Sequence, residues 1–359
     1  MNYFLSLVIF LFFPTLLYSQ QAKNSSTSAS AVHAASTPVQ PAIALPRTPL
    51  EFFARARQLS DLEATGIPFH LKASYVAAGN AEFIGNGTIE EWWQSKDVWR
   101  KEATLGDYRW VEIQNGAEPS LYSTAAYVPL RLRQAVAAVP IGFPSEASTS
   151  SEWQGVHKKF SGVDFTVLSQ PYNPAGTNSK VTIIKAYYFT SEGVLRTYQT
   201  GGIAIFYQKF EPFQNLLIPR SISIESGGIK ILAISITGLE PFKPDQKVMS
   251  EVPVLPKNLN PPEPYFRKPS GAKAPRLIYR AVPIYPGTAK QARIQGPVIV
   301  EASIDETGKI REPYVLSSAS PLLDDAALDT IRQSRLDPAT VDGKPIAVSM
   351  TVLVNFSLY

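Results

Sequence analysis

Three histidines, thirty acidic side chains and no cysteine are the material for chemistry in this chain. His33, His70 and His157 stand far apart, without metal-ligand spacing between any two, and no His-Glu-x-x-His occurs. His33 lies in a Ser/Ala/Thr-rich stretch. His70 alternates with apolar residues and is expected on the solvent side of a strand, and His157 is expected in a loop. Gly85 and Gly87 begin like a dinucleotide motif, but Glu90 replaces its third glycine. Ser270-Gly271-Ala272-Lys273 has the Ser-x-x-Lys spacing of an acylating pair. It falls in a Pro-rich stretch that cannot hold a nucleophile against its base. Glu90-Glu91 and Asp324-Asp325 are adjacent, so their side chains diverge on a strand or a helix. These residues predict no enzyme, no cofactor and no metal site.

The elements around them describe an exported, β-rich protein. Apolar residues make up 45% of the 359, charged residues 18% and aromatics 11%, with thirty prolines and a net charge of +4. The basic residues form no run, which argues against a nucleic-acid partner. The missing cysteines exclude a disulfide framework and a lipidated N-terminus, and suit an oxidising compartment. Tyr3–Tyr18 is almost wholly apolar but shorter than the roughly 20 residues of a spanning helix. Residues 1–20 are expected to be a signal peptide cleaved near Ser19 or Gln20, the alternative being an uncleaved anchor. Residues 21–47 read as a disordered tether. Residues 241–275, with Pro253, Pro256, Pro261, Pro262 and Pro264, read as a stiff spacer. At about 3.1 Å per residue it would span roughly 100 Å.

Between tether and spacer, residues 48–240 read as one domain. Thr48 and Pro49 open a helix whose apolar face is Phe52, Phe53, Ala56, Leu59 and Leu62. Period-two alternation follows, starting with Phe69, Leu71, Ala73 and Tyr75, and predicts about ten strands separated by Gly/Asn/Asp turns. A short helix is predicted at Pro129–Ala138. The fold class is α+β: an N-terminal helix with a large curved antiparallel sheet, half-barrel-like, then the Pro-rich linker and a small two-layer αβ domain at 276–359.

That last domain is the most regular part of the sequence. Pro286–Ala292 reads as a short helix and Val298–Ile304 as a strand. Asp305–Gly308 is a turn and Ile310–Leu316 the return strand. Ser320 caps a helix with Asp324 and Asp325 at its start and Leu323, Ala327 and Ile331 on its apolar face. The terminal run Ile346–Leu358 alternates without charge or proline. It is expected to be longer than its hairpin partners and to leave backbone groups unpaired. Edge strands usually carry Lys, Pro or a bulge, and this run has none. From pattern alone it is either a bare edge open to strand addition or a long strand buried beneath the helix.

The run Pro283-Ile284-Tyr285-Pro286, then Gly296, Asp305-Glu306-Thr307-Gly308, Leu323-Asp324, Ala327, Pro338-Ala339 and Asp342-Gly343-Lys344-Pro345 closely resembles the TonB C-terminal family, with order and spacing kept over about eighty residues. The family positions quoted are Tyr285, Pro286, Gly296, Gly308, Leu323, Ala327, Pro338 and Gly343. The resemblance implies a domain in the Gram-negative periplasm that pairs its last strand with a short motif on an outer-membrane TonB-dependent receptor or another envelope protein. It places the contact strand at Val348, Ser349, Met350, Thr351, Val352, Leu353, Val354 and Asn355. Two features depart from the family. Ser334-Arg335-Leu336-Asp337 stands where a Trp or Phe is usual. The apolar N-terminal run has Ser6 but lacks the histidine of the proton-coupled transducers.

The middle domain holds all five tryptophans and looks similar, in its leading helix and strand series, to the LolA/LolB-like lipoprotein carriers. That likeness implies lipid or lipoprotein as a further partner, held on a face bearing Trp92, Trp93, Trp99 and Trp110. Ordinary sheet packing accounts for the same aromatics. The expectation is a periplasmic docking protein of transmembrane transport with a ligand-binding middle domain. An inner-membrane energy transducer and a lipid or lipoprotein carrier are the alternatives.

Overall fold

The computed structural model describes residues 45–79, 81–116, 119–140, 153–172, 183–258 and 273–358. The expected signal segment, most of the tether and Ser270 of the Ser-x-x-Lys spacing lie outside these residues. Among the described residues no helix is long and apolar enough to cross a membrane.

Helix α1 (Pro49–Ser60) starts where the sequence predicts. Thr48 and Glu51 cap it reciprocally, each side chain accepting the other's backbone N–H. Twelve strands follow with one helix among them: β1 (Phe69–Ala77), β2 (Gly85–Ser95), β3 (Val98–Leu105), β4 (Tyr108–Asn115), β5 (Ser120–Ser123), α2 (Leu130–Ala137), β6 (Gln154–Phe160), β7 (Val163–Tyr172), β8 (Ile183–Thr190), β9 (Leu195–Thr200), β10 (Ile203–Phe213), β11 (Leu216–Ser226) and β12 (Ile229–Pro241). With β13 (Lys257–Asn258) they form one sheet in the order β13-β5-β4-β3-β2-β1-β12-β11-β10-β9-β8-β7-β6.

A flat sheet of thirteen strands would be roughly 55–60 Å wide at about 4.8 Å per strand. Yet Trp110 and Leu121 from one end share an apolar core with Leu168, Tyr187 and Phe189 from the other. Phe52, Phe53, Leu132 and Ala135 of α1 and α2 belong to the same core. The sheet therefore curls around the two helices, as the large curved sheet of the sequence reading requires.

Three expectations are corrected. The first half of the supposed spacer is packed, not free. Helix α3 (Gln246–Ser250) buries Met249, β13 pairs with β5, and Arg100 donates to the Glu251 carbonyl. Val111 and Ile113 are buried on β4 and point outward from the curled core, and this segment covers that side. His157 lies on β6, near Thr166 Oγ1 at 3.2 Å, not in a loop. His70 lies on the outer side of β1 as expected but is not open to solvent there: it is half-buried, stacked on Trp92 and held between Glu90 and Glu240.

The C-terminal domain contains β14 (Arg276–Tyr279), α4 (Gly287–Gln291), β15 (Gly296–Ile304), β16 (Ile310–Ser318), α5 (Asp324–Gln333), β17 (Arg335–Asp337), β18 (Ala339–Val341), β19 (Lys344–Ile346) and β20 (Val348–Phe356). The central sheet has the order β16-β15-β20. Leu323, Ala327 and Ile331 pack on Val298, Val300, Ala302, Val354 and Phe356, so α5 covers one face as its apolar spacing predicts. The terminal run corrects a further expectation. It is two strands, because β19 folds back on β18 across the Asp342-Gly343 turn, where both residues have positive φ. β15 and β20 each have nine residues and match from Ile304↔Val348 to Gly296↔Phe356, so β20 has no overhang.

Candidate functional site

β20 pairs with β15 on one side, and among the described residues no strand pairs with its other side. Its backbone directions follow from one bond. Ala319 N–H donates to the Pro297 carbonyl at 3.0 Å, so Pro297 faces β16. Backbone groups alternate along a strand, so Gly296 and Val298 face β20. The β15–β20 register has no shift. Val348, Met350, Val352 and Val354 therefore bond to β15, and Ser349, Thr351, Leu353 and Asn355 turn their N–H and C=O groups to the open edge. The eight residues of the expected contact strand thus split into two sets. One holds the sheet together with its side chains toward α5. The other presents the free backbone.

The opposite edge of this sheet is occupied. Gly202 N–H donates to the Leu316 carbonyl of β16 at 3.0 Å. Glu312, which holds a φ of +43°, inserts its carboxylate into the middle domain. The carboxylate accepts from Leu130 N–H, the first amide of α2, at 2.7 Å, from Glu82 N–H at 3.0 Å, and from the Tyr127 hydroxyl. Arg311 pairs with Glu82 and Asp305 and lies 4.7 Å over the Tyr127 ring. Burial raises the Tyr127 hydroxyl pKa, and the Glu312 charge adds to the effect. Arg133 donates to Ser303 Oγ at 2.9 Å on the sheet face away from α5. Together these contacts form a clasp that covers the β16 edge, and among the described residues none pairs along the β20 edge.

The family positions are structural. Tyr285 donates to the Ile294 carbonyl and meets Phe356 edge-on, and Pro286 precedes α4. Leu323 and Ala327 are fully buried. Gly308 has a φ of +81°, and a Cβ there would strike the Leu336 carbonyl and press on Pro338. Gly296, with a φ of +134°, lets Ala319 close on the start of β15. Gly343 makes the β18–β19 turn. None of them reaches the open edge.

The aromatic face of the middle domain is divided. Register places Phe69, Trp93, Trp99 and Gln114 in one row across β1 to β4, and Ala73, Ile89, Ala103 and Trp110 in another. Trp93, Trp99 and Trp110 share the core side of the sheet. Trp92 does not: period two turns it to the other side, where it stacks on His70 at 4.9 Å.

Between the two rows runs a charged one, Leu71, Glu91, Lys101, Glu112 and Leu121. Glu91 is 1% exposed, and its Oε1 lies 3.4 Å from Lys101 Nζ. Its Oε2 is buried with no hydrogen-bond partner. Burial pushes the Glu91 carboxyl up to about 7, Lys101 works against that, and Glu63 adds to it. Burial also opposes the Lys101 charge, but Glu91, Glu112 and Glu63 outweigh it and raise the Lys101 pKa. Between the ordinary 4.5 and about 7 the unfolded chain releases the Glu91 proton while the folded chain keeps it. Stability should therefore fall as pH rises through that window, by up to about 3 kcal/mol, and stay low above it. Glu91→Gln should remove that fall. Denaturant midpoints at pH 5 and pH 8 check this, and an equal fall in both proteins would clear Glu91 as its source.

Sequence reasoning dismissed Glu90-Glu91 as a diverging pair and passed over Lys101 and Glu112. A signal was present. Glu91 precedes Trp93 by two, and Lys101 and Glu112 follow Trp99 and Trp110 by two. In three successive strands a charge thus shares a face with a tryptophan.

Residues 281–358 match the family model for the Gram-negative bacterial TonB protein C-terminal. Protein TonB of Vibrio cholerae is 34% identical over 86 residues, 23% of this chain and 35% of that protein. Protein TonB of Xanthomonas campestris pv. campestris is 38% identical over 77 residues, 21% of this chain and 34% of that protein. The chain spans about a third of the length of the curated relatives it matches. Among solved structures it is similar to a LolA superfamily protein from Nitrosomonas europaea, at 9% identity and TM-score 0.39, covering 57% of this chain and 99% of that one. A putative outer membrane lipoprotein-sorting protein domain from Vibrio parahaemolyticus follows at 11% identity and TM-score 0.34, covering 56% and 94%.

Proposed function

We propose that this chain is a periplasmic docking protein whose C-terminal domain adds a strand to an outer-membrane transport component along β20. The observation that carries the reading is the open edge. β20 carries no charge and no proline, its outer backbone groups are unpaired among the described residues, and the clasp already covers the sheet's other edge. Free N–H and C=O groups supply affinity to any extended segment, and side-chain pockets supply its selectivity. The family match at 281–358 supports a receptor as the partner. The chain has no cysteine, so single-cysteine variants can be cross-linked cleanly in cells. Cysteines at Ser349, Thr351, Leu353 and Asn355 should couple to one outer-membrane protein, and cysteines at Val354 and Phe356, buried under α5, should not. Cross-links confined to residues away from β20 would refute strand addition.

A second reading concerns the middle domain, which binds an apolar ligand on its aromatic face. The observation that favours it is the convergence of Trp93, Trp99 and Trp110 on one side of a curled sheet.

A further inference from the structure

The stretch that opens the C-terminal domain carries apolar surface that the fold does not use. Leu277, Ile278, Tyr279, Val282 and Ile284 are each half or more exposed, Val282 at 82% and Ile284 at 77%. Five such residues within eight positions differ from the single scattered ones that any soluble surface shows. None of them belongs to the core that α5 closes over β15 and β20. Their backbone is nevertheless held. β14 pairs with β17 from Arg276↔Asp337 to Tyr279↔Arg335, and the buried Ala281 donates its N–H to Ser334 Oγ at 3.3 Å. All four residues of β14 are exposed, so side chains on both faces of the strand are bare.

Charge on this stretch has one sign. Lys273, Arg276, Arg280, Lys290 and Arg293 are its ionic residues and no acid stands among them, while the whole chain carries only +4. All five are exposed. The register adds a sixth, Arg335, beside Tyr279. The one acid of the β14–β17 ribbon is Asp337, and Arg276 takes it up at 2.9 Å. Among the described residues Lys273, Arg280 and Arg335 make no ion pair.

We propose that Lys273–Ile284, with Arg335 beside it, is a docking surface for an anionic lipid bilayer. The aliphatic side chains enter the interface and the cations hold the phosphate head groups. Buried apolar area and attraction to anionic lipid together are what bind a segment that lies on a membrane. Arginine stems can lie along the apolar layer while their heads stay in the head-group region, and a tyrosine suits that boundary. Side chains that protrude on both faces of a strand fit a fluid interface, which closes around them, better than a rigid protein, which must match them on one face. The surface is independent of strand addition along β20.

The test uses the full chain and two kinds of vesicle, phosphatidylglycerol mixed with phosphatidylethanolamine and phosphatidylcholine alone, read by co-sedimentation. The chain should bind the anionic vesicles about tenfold or more tighter, and high salt should weaken that binding. Each cation near an anionic surface is worth about fivefold, so Lys273→Gln/Arg280→Gln/Arg335→Gln should lower affinity for the anionic vesicles by roughly a hundredfold and leave the neutral ones unaffected. Lys158→Gln/Lys209→Gln/Lys230→Gln removes the same charge from exposed positions of the middle domain and should change little. Ile278→Ser/Val282→Ser/Ile284→Ser should weaken binding to both vesicles, with circular dichroism melts showing the fold intact. An environment-sensitive fluorophore on Val282→Cys should shift to the blue on anionic vesicles, and one on Val163→Cys, exposed on β7, should not. If the middle-domain lysines matter as much, net charge and not this surface draws the lipid, and the proposal is overturned. It is also overturned if the fluorophore on Val282→Cys stays in water, or if the chain ignores both vesicles, which leaves an acidic protein segment as the partner of these side chains.

Discussion

Leu353→Pro should abolish partner capture while the C-terminal domain stays folded, and Val352→Pro should unfold it. The difference comes from one step along β20. Leu353 N–H points to the open edge, and Val352 N–H bonds to β15 opposite Val300. Proline is tolerated on an edge strand when the missing N–H faces outward. At Leu353 it removes a donor that the incoming strand needs, and its ring stands where that backbone must approach to about 4.8 Å. Loss of one bond and of close approach should lower affinity by about 30-fold or more. Val352 sits against the α5 core, so proline there breaks the central ladder. Cross-linking yield from Asn355→Cys reads capture, and circular dichroism melts read the fold. Thr351→Pro repeats the test where Leu353 packing is untouched. A folded Leu353→Pro or Thr351→Pro protein with undiminished yield would sink strand addition along this edge.

The second large effect concerns the clasp. Glu312→Ala should release the C-terminal domain from the middle domain without unfolding either. It removes three hydrogen bonds to one carboxylate, including that of the first amide of α2, each worth roughly 1.5–3 kcal/mol when charged. The φ of +43° that Glu312 holds offsets a part of this, because a side chain in that region carries strain. Glu312→Gly relieves the strain and still lacks the carboxylate, so it should release the domain as well. Glu312→Gln keeps the shape and reports the charge alone. Ser303 is 5% exposed against Arg133. A cysteine placed there should react with a thiol reagent about ten- to a hundredfold faster in the Glu312→Ala background, if opening costs a few kcal/mol less. An unchanged rate would mean that Glu312 does not hold the interface. Release would also expose the β16 edge, so the clasp bears on which edge a partner finds.

Much of the architecture was legible in local pattern. The capping box at Thr48 and Glu51, the alternation of β1 to β4, the hairpin through Asp305–Gly308 and the apolar face of α5 all read directly, because each depends on residues a few positions apart. The domain match at 281–358 agrees with the motif spacing read from Tyr285 to Gly343. Other features depend on what lies across space. β5, β6 and β13 have weak alternation and exist because a neighbour supplies their ladder, which is also why the Pro-rich stretch through Asn258 packs instead of spanning a gap. The terminal run reads as one long strand, but its ends take different partners: Ile346 pairs with Ala339 of β18, and from Val348 the chain pairs with β15.

That β20 could pair was legible in its residues, since a run without charge or proline has nothing to blunt its backbone. That its outer side has no strand against it among the described residues follows only from the packing. β15 takes one side of it, α5 takes one face, and the clasp takes the competing edge. The same division holds in the middle domain. Tryptophans at alternate positions were evident in the residues, but register alone set Glu91 beside Lys101 and turned Trp92 away, because a side chain's face on a strand is local and its row across a sheet is not.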